Sequence, residues 1–310
     1  MLQRVRTIAL NTYRESVRAR ILLGLAGVAF AVALFSLVVG SFTLNNAPRV
    51  VSDLGSASIS VFGIVVAIVI GATSLHRELE QKTIFPILAR PVHRAEYLAG
   101  KYFGTLLTIL VFMMADAGLV LLLTAGLGGQ SVPLLLAVGL GATGVLAVAA
   151  IRSADARTYG LLPWACVMLL AGALLSGAAP DERRLVLTSV LLSFLEIAIV
   201  TAAATLFSSF STPFLSALFT LGLVVIGRNA DSMAHLPKKF FGPQVVGFFA
   251  GLSKVVPNLQ IYVPPRPLLT GEALDANTSH YLLMAAVNAV AWSVGFMALG
   301  SFIFKKRDFL

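Results

Sequence analysis

The stretch "RELEQKTIFPILARPVHRAEYLAGK", Arg77–Lys101, packs eight charged residues and two prolines between two apolar runs, Ile59–Ser74 and Gly104–Ala125. That contrast decides the fold class. The chain has 310 residues, 58% hydrophobic and only 12% charged, whereas a soluble domain is near a quarter charged. So few charges cannot cover so much apolar surface in water. Runs of about 17–25 apolar residues can cross a bilayer as helices, and both flanks are near that length. The sequence therefore describes an all-α integral membrane protein that concentrates charge where the chain leaves the membrane.

Working outward, eight apolar segments emerge: Ile21–Ser41, Ile59–Ser74, Gly104–Ala125, Pro133–Ile151, Tyr159–Ser176, Val186–Phe207, Phe214–Gly227 and Leu282–Phe304. Phe214–Gly227 is short enough to re-enter rather than span. With eight crossings and a cytoplasmic N-terminus, fifteen of the 23 Lys and Arg lie inside. Seven crossings divide the raw count slightly more unevenly. They would, however, place Lys305, Lys306 and Arg307 outside, directly against the last span, where basic residues weigh most. The expectation is a single transmembrane domain of about eight helices over 1–310. It is multi-pass, with both termini cytoplasmic.

Before the first span, Leu2, Val5, Ala9, Tyr13 and Val17 recur at helical spacing, with Arg4, Arg14 and Arg18 on other faces. This predicts an amphipathic helix over 1–20 lying in the cytoplasmic interface. The stretch is too long and too rich in arginine for the start of a cleavable signal. The outer region 228–280 holds six prolines, so no single helix runs through it. Within it, "QVVGFFAGLSKVV" predicts a short helix resting on or dipping into the membrane. The net charge of +9 reflects basic cytoplasmic loops rather than nucleic-acid binding. The single cysteine, Cys166, rules out an intrachain disulfide.

In the charged segment, Arg77–Lys82 can extend the second span into the cytosol, with Glu78 and Lys82 paired at i, i+4. Pro86 can open a new short helix, "FPILA". An apolar turn held between charged flanks, with no membrane to enter, needs a protein surface to bury it. Beyond it, Gly100 and Gly104 offer a small-residue face for close helix packing.

The order Glu, Thr, apolar pair, Arg90-Pro91-Val92, Arg94, Gly100-Lys101 resembles the cytoplasmic coupling segment of ABC-2 type transporter permeases. The similarity extends to the N-terminal amphipathic helix, "SFLEIAIVTAAATLFSSFSTPFLSALFTLG" (Ser193–Gly222), "VPNLQIYVPPRPLLTGE" (Val256–Glu272) and the terminal "FKKRDF". The resemblance implies a membrane subunit whose segment 76–103 inserts into a cleft on a separate ATPase, through Glu78, Glu80, Thr83, Phe85, Leu88, Arg90, Pro91 and Arg94. It further implies two ATPase copies, which bind the ATP and Mg, and a second permease copy in a homodimer or with a related permease. The location it implies is the plasma membrane, a bacterial inner membrane. Two features depart from the family. The family has six spans, so 133–176 reads as an inserted hairpin that leaves and returns on the outer side. Lys82 stands before Thr83 where the family commonly has glycine.

Asp116 and Glu196 lie deep in the third and sixth spans, near the midplane at about 1.5 Å per residue. Ionisable groups there are costly and face the interior or a water-filled path. They serve either transport or helix packing, and no Lys or Arg lies within an apolar run to pair with them. A proton-coupled carrier using both, or a non-transporting scaffold, are the alternatives to an ABC permease. Catalytic motifs are missing from the sequence. The single Gly-Lys, Gly100-Lys101, has Ala95 where a phosphate-binding loop needs glycine. His76, His93, His235 and His280 lack metal-ligand spacing. The chain is expected to be no enzyme and to bind no cofactor of its own.

Overall fold

The computed structural model describes residues 2–43, 46–80, 93–235, 238–270 and 278–306. Most of them are helical, joined by turns and short irregular stretches, with no strand among the described residues. The longer helices are α1 (Leu2–Arg18), α2 (Arg20–Ser41), α3 (Ala47–Glu80), α4 (Arg94–Leu127) and α5 (Val132–Arg152). They continue with α6 (Leu161–Leu175), α7 (Pro180–Ser208), α8 (Pro213–Arg228), α9 (Lys238–Val255) and α10 (Thr278–Lys306). Seven helical stretches among the described residues are long and apolar enough to cross a membrane, built on α2 to α7 and α10. This is a multi-pass membrane protein.

Prolines open α5, α7 and α8 at their first or second position, where the missing N–H costs no helical hydrogen bond. Asp181 and Glu182 sit in the first turn of α7, complementing its dipole. Two helices run well past their apolar runs. α3 begins at Ala47, not Ile59, because Ser52 and Ser58 donate back to the carbonyls of Arg49 and Gly55 and so do not interrupt the helix. α4 begins at Arg94, not Gly104, because α1 covers Glu96 and Lys101. Each is 34 residues long.

α7 is the central post, packed against α3, α4, α8 and α10, with Val200–Ala204 buried throughout. α1, the start of α4 and the end of α10 meet at one end of the bundle, here called proximal. Arg94 donates to the carbonyls of Phe304 and Lys305, and Tyr97 stacks on Phe304. The opposite end is distal. The hairpin of α5 and α6 leaves and returns distally, since Gly128 at the end of α4 lies beside Ala179 at the start of α7. Its two arms differ. α5 has no buried residue, whereas α6 buries Ala165, Met168 and Gly172 on one face and leaves Val167, Leu170 and Leu174 exposed on the other. A Cβ on Gly118 would fall 2.5 Å from the Met168 backbone, so α4 and α6 touch main chain to main chain.

The seventh expected segment, Phe214–Gly227, is helical but its helix is only 16 residues long, about 24 Å against a hydrocarbon core of about 30 Å. It stops inside the bundle, because Arg228 at its C-terminus meets Glu196 on α7. Irregular chain completes the passage. The Leu259 N–H donates to the Gly227 carbonyl, the Tyr262 hydroxyl lies 3.1 Å from the Ala285 carbonyl on α10, and Arg266 reaches the distal ends of α3 and α7. Non-helical backbone is tolerated at depth where protein surrounds and pairs it. The predicted helix in "QVVGFFAGLSKVV" is part of α9, which breaks at Gly242, with φ of +74°.

Candidate functional site

The charged segment divides at the edge of the described residues. Thr83, Phe85, Leu88, Arg90 and Pro91 lie outside them. Glu78 and Glu80 belong to the last turn of α3, and their side chains, including the expected Glu78–Lys82 pair, also lie outside. Arg94 is described, and it ties the start of α4 to the end of α10. The small-residue face finds its partner in α1. Gly100 packs on Ile8, and Gly104 on the Ala9 carbonyl and Thr12. Arg4 lies 3.8 Å from Glu96, and Lys101 lies 3.6 Å from Glu15. The apolar stripe of α1 thus buries Tyr13 and Val17 on protein, while Leu2 is exposed. The Tyr13 hydroxyl donates to the Thr158 carbonyl in the turn of the hairpin. Burial, with Tyr159 adding to it, pushes that phenol up to about 12, so it remains a donor. α1 and the proximal half of α4 form one unit.

The two midplane carboxylates part company. Glu196 is wholly buried and gripped by Arg228. Nε donates to Oε1 at 2.7 Å and Nη2 to Oε2 at 2.8 Å. Nη2 also donates to Ser60 on α3 at 2.7 Å. This bidentate pair joins α3, α7 and α8 at one point, and such charge-assisted forks fix geometry as well as energy. It corrects the expectation that no basic group could meet a midplane carboxylate. Arg228 closes the apolar run of α8, so the sequence places it at the start of a loop. The short helix carries it to the depth of Glu196 instead. Asp116 is equally buried, yet neither of its oxygens has a hydrogen-bond partner among the described residues. Val120 and Met113 flank it on one face of α4 and meet α3 at Gly55 and Gly63, so Asp116 faces the α3 stretch between those glycines.

A second ionic knot closes the distal end. Arg266 donates to Asp53 on α3 at 2.5 Å and to both oxygens of Glu182 on α7 at 2.6 Å. Ser52 also donates to Glu182. Nothing in the sequence marks Arg266, because its partners lie 213 and 84 positions away. Among the described residues, no group of three or more His, Cys, Asp or Glu is placed to hold a metal.

The arrangement is a helical bundle whose two longest helices, α3 and α4, meet the proximal end, with one ionic knot at mid-depth and a second at the distal end. A family model described as ABC-2 family transporter protein matches residues 6–309. The chain belongs to the ABC-2 transporter family. No curated protein matches it. As a member of that family, the ABC-2 chain is a transmembrane component of a transport system. The match takes in the charged segment, both knots and residues 133–176 alike.

Proposed function

We propose that this ABC-2 permease forms the membrane pathway of an ATP-driven exporter, pairing with a second permease and two copies of a separate ATPase that bind ATP and Mg. The observation that carries this reading is the length of α3 and α4. At 34 residues each they span about 51 Å, some 20 Å more than the hydrocarbon core. Both end at the face that holds the charged segment, and α1 is bound to the start of α4. A push on 76–103 would therefore tilt two membrane helices and α1 together. The proximal face is cytoplasmic in this reading, in keeping with the basic residues there and a bacterial inner-membrane location. α1 lies along the interface, and 228–280 faces outward.

Recovery of the tagged protein from its native membranes tests the reading. An ATPase with a nucleotide-binding loop should co-purify and hydrolyse ATP. The double variant Phe85→Asp/Leu88→Asp places charges in a buried contact, at several kcal/mol if fully desolvated, and should release it. Retention of the ATPase at parental stoichiometry would remove the docking role of 81–92.

A further inference from the structure

A cavity of about 280 Å³ lies between α3, α7 and the chain following Tyr262. Two ladders of hydroxyls at i, i+4 line it, Ser56 and Ser60 from α3 and Ser189 and Ser193 from α7, with Arg228 and Arg266 also in its wall. Ser56 is 9% exposed and its hydroxyl has no partner among the described residues. Arg228 commits Nε and Nη2 to Glu196 and Ser60, leaving both Nη1 hydrogens without a hydrogen bond among those residues. Its side chain is 28% exposed while the Glu196 beneath it is fully buried. The buried Ser56 hydroxyl is costly to leave unmatched, and pockets use a few such polar groups to orient a ligand.

Charge balance selects the ligand class. Glu196 is matched by Arg228, and Glu182 and Asp53 by Arg266, with Arg49 a further 3.9 Å from Asp53. Among the charged lining residues and their ion-pair partners, three cations face three carboxylates and the charges cancel. What remains is neutral hydrogen bonding from hydroxyls and one guanidinium edge.

We infer that this distal cavity binds an uncharged, oxygen-rich group of the polyol or sugar type, either free or as the headgroup of a lipid. The inference is independent of ATPase pairing, because binding is measured on the permease alone. In phosphatidylcholine nanodiscs, the intact protein is titrated with a galactosyl diacylglycerol, methyl galactoside, phosphatidylglycerol and inorganic phosphate. The galactolipid should bind, and Ser189→Ala/Ser193→Ala should weaken it by about tenfold, which corresponds to about 1.4 kcal/mol, at an unchanged melting temperature. Binding of methyl galactoside as well supports the free group as sufficient; binding of the galactolipid alone supports a lipid-borne headgroup. Preference for phosphate or phosphatidylglycerol overturns the neutral class. Absence of binding by either galactoside, or equal affinity in the serine variant, overturns the site.

Discussion

Asp116 and Glu196 read alike in the sequence, as single carboxylates deep in apolar runs, yet they sit in opposite kinds of surroundings. Around Glu196 the helices are joined by charge. Arg228 clamps it bidentately, and Ser60 extends the clamp to α3. Around Asp116 they are joined by shape. Gly55 admits Val120, Gly118 admits the Met168 backbone, and the carboxyl itself bonds to nothing described. A buried acid is therefore not one kind of feature. Glu196 is a pin for a helix too short to span, and Asp116 is a polar group tolerated inside a well-packed wall.

The largest expected effect tests the pin. Glu196→Ala should cost about 3–5 kcal/mol, because Arg228 would be left without its counter-charge in a buried setting. Unfolding of purified protein in mixed micelles measures the loss, and a loss under 1 kcal/mol would make the clamp ornamental. The shape-held region should respond to crowding instead. Gly118→Ala forces α4 from α6 and should cost about 1–3 kcal/mol, read in the same assay. A neutral result would mean that the two helices are not in main-chain contact. At the distal rim, Asp53→Asn should cost less than about 1 kcal/mol, since Asp53 is half exposed and Glu182 still holds Arg266. Asp116 should give the smallest loss. Asp116→Asn should change stability by under about 1 kcal/mol, and the similarly sized Asp116→Val should raise it, because an unpartnered buried polar group is removed. Both should leave the ATP hydrolysis of the assembled transporter intact. Loss of hydrolysis in folded Asp116→Asn would return that carboxyl to the mechanism.

Much of this bundle could be read from its apolar runs. The runs at Ile21, Pro133 and Val186 became α2, α5 and α7 with shifts of a few residues. The errors share a physical cause, which is polar groups satisfied within the protein. Ser52 and Ser58 bond to their own helix, and Lys101 and Glu96 are covered by α1, so α3 and α4 run on where hydropathy falls. The site was harder to read. Both carboxylates were visible as lone charges in oil, but the partner of Glu196 was not. Arg228 lies at the end of a run that looked like a span and became a half-helix. Arg266 sits in a proline-rich stretch with no periodicity to betray its direction. Long-range pairing is fixed by where α8 stops, and local pattern does not encode that.

The central claim, that Glu196 holds α8 in place through Arg228, is tested most directly by a double-mutant cycle on the pair. Glu196→Met and Arg228→Met are compared singly and together, by unfolding in mixed micelles. Each single variant strands one charge and should lose about 3–5 kcal/mol. The double variant replaces a buried ion pair by apolar side chains and should recover most of that loss. Additive losses, with the double variant as unstable as the sum of the singles, would contradict the pin.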